Sequence, residues 1–201
     1  MGLNINSRVL INDKIIARNG ITPASLNLSA GFSPEDIYRQ LQYNYHKFFK
    51  MDILSKWAWI GVEVLLNCND TLLYNGLNRD KIGIVLATAH GCLEADKRYS
   101  ETIATIPSPA LFVYTLPNIM LGEISIRHGF KGEQACLVSE RFDSEEMHFW
   151  VNDLMEKRGM EACLAGWVDV TETKHELYLF WITKNGTGLP FSSSSMAQLL
   201  N

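Results

Sequence analysis

Apolar and polar positions along the chain fall into blocks that alternate between strand-like and helix-like periods. Arg8 to Ala17 (RVLINDKIIA) is rich in β-branched residues and predicts one strand, or a short hairpin turning at Asn12-Asp13. Asn19-Gly20 is a turn signal, and Thr22 to Phe32 reads as a loop. Ser33-Pro34-Glu35-Asp36 joins a cap residue, a proline at the first helical position and two acids in the first turn, so a helix is expected from there to about Phe49. Asp52 then caps a second helix, in which Leu54, Trp57, Ala58, Gly61, Val62, Leu65 and Leu66 form an apolar stripe. Trp59 falls about two residues from Trp57, so one of the two is expected off the core face, as an interface anchor.

Lys81 to Thr88 (KIGIVLAT), Gln134 to Ser139 (QACLVS) and Ala162 to Val170 (ACLAGWVDV) are short, nearly continuous apolar runs, the pattern of strands buried on both faces. Ser144 to Arg158 is an amphipathic helix with acids first and basic residues last, as the helix dipole favours. Glu176 to Thr183 (ELYLFWIT) follows the third run after a short polar turn, so these two strands are expected to pair antiparallel. Gly186 to Ser195 (GTGLPFSSSS) has linker composition. Residues 1–185 are therefore expected to form one unit and residues 186–201 a flexible tail. The alternation of strands and helices predicts an α/β fold, a mostly parallel sheet with helices packed on it.

Composition narrows the function. The chain has 201 residues, 47% hydrophobic and 20% charged, enough for one sizeable core. Net charge is −4 with scattered basic residues, which argues against nucleic acid and anionic membranes as partners. No apolar run has the length of a membrane span and the N-terminus lacks a signal-peptide core, so a cytoplasmic location is expected. Cys68, Cys92, Cys136 and Cys163 form no CxxC pair and read as reduced, apolar thiols; neither they nor the histidines show metal-ligand spacing, and no cofactor is implied.

The most distinctive segment is Ser108 to Gly132 (SPALFVYTLPNIMLGEISIRHGFKG). Small residues recur at Asn118, Gly122, Ser125, Gly129 and Gly132, and Gly122 and Ser125 share one helical face that another backbone can approach closely. The spacing Asn-x3-Gly-x2-Ser-Ile-x2-Gly-x2-Gly, preceded by Ser-Pro-x2-Phe, resembles the β-ketoacyl synthases of the thiolase superfamily. Lys50-Met51-Asp52 with Ser55-Lys56, and the run Gly83 to Thr88, are similar to further segments of that family in the same order. Gly91-Cys92-Leu93-Glu94 and Arg141-Phe142 resemble the divergent ketosynthase-like proteins of aryl-polyene and flexirubin-type pathways.

The resemblance covers residues 5–184 and implies one βαβαβαββ unit with a five-stranded sheet and helices on both faces, where the family has two such units. It also implies a setting of fatty-acid or polyketide-type synthesis, with an acyl carrier protein as a possible partner. The family condenses acyl groups on a cysteine at a helix N-terminus after the third strand, and two histidines of the second unit assist. Counted from Gly132, that position falls near Arg141, where there is no cysteine; Cys136 is about five residues too early, and the histidine-bearing half is missing. The expected protein is thus a non-condensing partner, similar to a chain-length factor. The alternatives are an active 3-oxoacyl synthase or acyltransferase completed by a separate C-terminal subunit, and a carrier-protein binding module.

Arg141 has two readings, a site for a phosphopantetheine phosphate or partner carboxylate, and a salt bridge to Glu140, Asp143 or Glu145. His90 reads as a hydrogen-bonded loop residue and His128 as a cation complementing a helix dipole. Ser139 lacks a G-x-S-x-G elbow. A lone half leaves apolar surface to cover, so a homo-oligomer or a heteromer with a ketosynthase is expected, with Asn118, Gly122, Ser125 and Arg141 as interface residues.

Overall fold

The computed structural model describes residues 2–28, 31–68, 71–184 and 186–200. Residues 29 and 30 of the expected loop, and residue 201 of the expected tail, lie outside these. The elements in chain order are β1 (Asn4–Asn12), β2 (Ile15–Arg18), α1 (Pro34–Gln40), α2 (Ile53–Leu66), a small hairpin of β3 (Asn67–Cys68) and β4 (Thr71–Leu72), β5 (Ile82–Thr88), α3 (Leu93–Ile103), α4 (Pro109–Val113), α5 (Ile119–His128), β6 (Gln134–Val138), α6 (Ser144–Asn152), β7 (Ala162–Val170), β8 (His175–Thr183), β9 (Leu189–Pro190) and α7 (Ser193–Leu199).

The main sheet has the order β2-β1-β8-β7-β5-β6, with β9 added beside β1. Within the five-strand centre, β1, β5, β6 and β7 point the same way; β8 runs against its neighbours β1 and β7. The fold is α/β, as expected, and the outer side of β1 carries two additions. The β1–β2 hairpin turns at Asn12-Asp13, and β9 pairs with Asn4 and Ile5.

Strict alternation divides the buried strands between two cores. Ile82, Ile84 and Leu86 of β5, Leu164 and Val168 of β7, and Leu177, Leu179 and Trp181 of β8 face α2. Val85 and Ala87, Cys163, Ala165 and Trp167, and Phe180 and Ile182 face the side of α6. A bulge between Ile5 and Ser7 puts Ile5 in the second core and Val9 and Ile11 in the first.

Several expectations need correction. The first helix stops at Gln40; Gln42 takes a positive φ of 53° and a single-turn 3-10 helix follows at His46–Lys50. The break lets Tyr38, Tyr43, Tyr45 and Phe48 gather round Trp59, with Tyr45 stacked on it at 5.7 Å. Trp59 is therefore fully buried and is no interface anchor. Burying an indole of about 200 Å² at about 25 cal/mol/Å² contributes roughly 5 kcal/mol, which outweighs continuing a helix of ordinary propensity. β6 was expected to be buried on both faces. It is the sheet's edge strand, with Gln134 and Val138 exposed.

The segment expected to be a flexible tail is folded: Phe191 N–H donates to Leu3 C=O at 2.9 Å, Ser192 caps α7, and Met196 is fully buried in the second core. Helices thus cover both faces of the sheet, α1, α2 and α5 on one and α6 and α7 on the other. α5 ends with Gly129 in the left-handed region at φ 71°, the conformation that glycine adopts most readily at a helix end. At Gly132 a Cβ would lie 2.3 Å from the Ile82 carbonyl oxygen, so only glycine lets the chain enter β6 there.

Candidate functional site

Open α/β sheets bind ligands beyond the carboxyl ends of their parallel strands. Here those ends belong to β5, β6 and β7. Asp169 lies in β7, in an otherwise apolar run, and holds the loop after β5. Its Oδ1 accepts from Thr88 Oγ1 at 3.0 Å and from the Ala89 and His90 N–H groups at 3.0 and 2.9 Å. Its Oδ2 accepts from His90 Nδ1 at 2.7 Å. Burial works to raise the Asp169 pKa, but these hydrogen bonds win and hold it below the usual carboxylate range. His90 is a hydrogen-bonded loop residue with a half-exposed ring. Among the described residues no serine, threonine or cysteine side chain hydrogen-bonds to it.

β6 is tied to the same corner by Ser139 N–H, which donates to Thr88 C=O at 3.1 Å; the Ser139 hydroxyl is buried and unpartnered. The chain then passes exposed Glu140 and Arg141 and enters α6. Arg141 makes no ion pair or hydrogen bond among the described residues, so the expected salt bridge to Glu140, Asp143 or Glu145 is absent. Asp143 caps α6, accepting from the Glu145 and Glu146 N–H groups at 2.9 and 3.1 Å. Three carboxylates in this turn suit the helix dipole and would raise the pKa of any thiol placed among them.

Each of the described cysteines has its thiol held above the ordinary range. Burial pushes the Cys163 thiol up to about 12 and the Cys136 thiol up to about 11. Cys92 precedes α3, but burial and the Asp96 carboxylate push it up to about 12. All three are free thiols, and the side chain of Cys68 lies outside the described residues. No group of three or more His, Cys, Asp or Glu side chains could hold a metal among the described residues.

The other expected residues cluster around α5. Asn118 precedes the helix without a side-chain cap bond. A Cβ on Gly122 would meet nothing within 4 Å, so no neighbour among the described residues requires glycine there. Ser125 Oγ accepts from Gln134 Nε2 on β6 at 2.7 Å, which joins this helix face to the sheet edge. Ile126, on the same face, is 65% exposed, and Val138 of β6 is 68% exposed. Small and apolar side chains thus line an open surface beside an unpaired strand edge. Arg141 lies on the loop that leaves the same strand.

His128 is not a surface cation. It is buried, and desolvation together with Arg127 and Arg79 pushes its pKa down to about 3. It belongs to a polar cluster between α2 and α5 that the sequence reading missed. Arg127 Nε donates to Glu63 Oε1 at 2.6 Å, and the Tyr74 hydroxyl lies 3.1 Å from His128 Nδ1. The available signal was Glu63, the one charge inside WAWIGVEVLL.

No protein-family model matches the chain, and no curated protein matches it. Solved structures do. A chain of the ishigamide ketosynthase/chain length factor matches 94% of this chain with a TM-score of 0.70 at 17% identity. A chain of the ketosynthase (ApeO) in complex with its chain length factor (ApeC) from Xenorhabdus doucetiae matches 93% with a TM-score of 0.62 at 14% identity. The third, AntDE:AntF, is a type II PKS acyl-carrier protein in complex with its ketosynthase bound to the hexaketide; it matches 92% with a TM-score of 0.66 at 12% identity. This chain shares its fold with chains of these three structures. This chain spans 64% and 63% of the length of the matched chains in the first and third structures and 81% in the second. No helix among the described residues is long and apolar enough to cross a membrane.

Proposed function

We propose that this chain is a ketosynthase-like partner subunit, similar to a chain-length factor, which does not itself condense acyl groups. The observation that carries this reading is the turn between β6 and α6. Near the place where the family resemblance puts the nucleophilic cysteine stands Arg141, and the helix start behind it is filled by the carboxylate of Asp143. The partner is a ketosynthase-type subunit of fatty-acid or polyketide-type synthesis, with an acyl carrier protein as a further partner. Two of the similar structures contain a ketosynthase with a chain length factor by description, and the third a ketosynthase with its carrier protein. The surface assigned to the ketosynthase is the free edge of β6 with Asn118, Gly122, Ser125 and Arg141 around it.

The test is co-expression with a candidate ketosynthase, followed by size-exclusion chromatography with light scattering and intact-mass analysis after incubation with acyl-carrier substrate. The expected result is a stable heteromer in which only the ketosynthase becomes acylated. A stable monomer at micromolar concentration that ignores every ketosynthase tried, or acyl mass on this chain, would overturn the proposal.

A further inference from the structure

The dipeptide Asn-Gly occurs at Asn19-Gly20, Asn75-Gly76 and Asn185-Gly186, and residue 185 lies outside the described residues. Asparagine before glycine can close a ring on itself. The glycine backbone nitrogen attacks the side-chain carboxamide, and no Cβ on the glycine stands in the way. The two described sites share this sequence and differ in what the fold does with them.

Asn19 is held. It takes a positive φ of 51° and Gly20 one of 83°, as in the primed hairpin turns that Asn-Gly favours. Arg18 and Ile21 exchange both backbone hydrogen bonds across this turn, each at 2.9 Å. Asn19 N–H donates to Arg8 C=O at 2.9 Å, and Asn19 Oδ1 accepts from Arg8 N–H at 2.8 Å and from the Ser7 hydroxyl at 3.4 Å. Turning the carboxamide towards Gly20 breaks these side-chain bonds.

Asn75 is open. It lies in the turn between β4 and β5, is exposed, and its carboxamide makes no hydrogen bond among the described residues. The turn is held by Asn75 N–H to Leu72 C=O at 2.9 Å and by Leu77 N–H to Tyr74 C=O at 3.1 Å, which leaves the Gly76 N–H without a described acceptor. A Cβ on Gly76 would meet nothing within 4 Å, so the space around the attacking nitrogen is clear.

We infer that Asn75 is a site of spontaneous deamidation and that the fold protects Asn19 from the same reaction. The Gly76 nitrogen gives its proton to a solvent base and bonds to Asn75 Cγ; the Cγ–Nδ2 bond breaks and ammonia leaves. Water then opens the cyclic imide at either carbonyl, giving aspartate or isoaspartate. The new carboxylate stands at a cleft of about 410 Å³ lined also by Leu73, Leu77, Trp181 and Lys184, and Lys184 makes no ion pair among the described residues. Isoaspartate also lengthens the backbone of a turn whose Leu73 and Leu77 pack against the first core. The inference does not depend on the ketosynthase contact, which uses the β6 edge.

The test is incubation of the full folded chain in mildly alkaline buffer at physiological temperature, with peptide mapping by mass spectrometry at intervals and a parallel sample unfolded in urea. In the folded chain Asn75 is expected to convert at least about tenfold faster than Asn19, since closing the ring at Asn19 costs its side-chain hydrogen bonds. In urea the two rates are expected to converge, because the dipeptides are then alike. Asn75→Gln, altered at an exposed position, is expected to remove the main product and leave Asn19 slow. Equal rates at the two sites in the folded chain, a faster rate at Asn19, or no product at Asn75 while the unfolded chain forms it would overturn the inference.

Discussion

His128 closes α5 among Tyr74, Glu63, Arg127 and Arg79, and its charge state follows from what surrounds it. A proton on its ring would be buried beside two guanidinium groups, so the folded pKa is about 3 against 6.5 for the free side chain. Between those values the unfolded chain takes up a proton that the folded one refuses. The stabilising contribution is therefore complete above pH 6.5 and is lost as pH falls towards 3, by at most about 1.4 kcal/mol per pH unit. Glu63 acts in the opposite sense, since burial raises its pKa and its contribution is lost as pH rises through the folded value. Comparison with His128→Gln separates the two. Urea unfolding from pH 7 to pH 5 is expected to show wild-type stability falling more steeply than that of the variant; parallel curves would mean that the folded ring takes up its proton as readily as the unfolded one.

At the level of elements, α7 is the clearest departure from local expectation. Its sequence, Ser193–Leu199, is mostly small and polar, yet it is anchored by Met196 in the second core and by Arg8 Nη1, which donates to Leu199 C=O at 3.3 Å. Met196→Ala is expected to lower unfolding free energy by about 2–3 kcal/mol in urea titration, a loss that a flexible tail would not show. The strands β5, β7 and β8, the helices α2, α5 and α6, and their caps were legible because each carries its own period and its own terminator. The edge position of β6 was not, since its apolar run (QACLV) has the pattern of a central strand and only sheet order exposes it. α3 (LEADKRYSETI) has little apolar periodicity and was missed for that reason. That no cysteine stands near Arg141 could be read directly by position. The Asp169–His90 pair could not, because two residues 79 apart meet only through the β5–β7 register.

For the whole molecule, the open face at Gly122 separates folding from association. Glycine in a helix interior costs about 1 kcal/mol relative to better helix formers, and no contact among the described residues offsets that cost here. Gly122→Leu is expected to raise the stability of the isolated chain by up to about 1 kcal/mol while weakening ketosynthase binding at least about tenfold, read by thermal melts and by light scattering of the mixture. Unchanged binding would move the interface elsewhere. The turn ahead of α6 has a historical consequence. The amides there that could cradle an oxyanion already serve Asp143, and neighbouring acids would keep an introduced sulfur protonated. A single codon change at Arg141 would therefore yield an inert thiol. On the proposed reading, condensing chemistry at this turn would need the Asp143 cap and its neighbouring acids changed together with Arg141, so every intermediate short of that set would still draw its chemistry from a companion subunit.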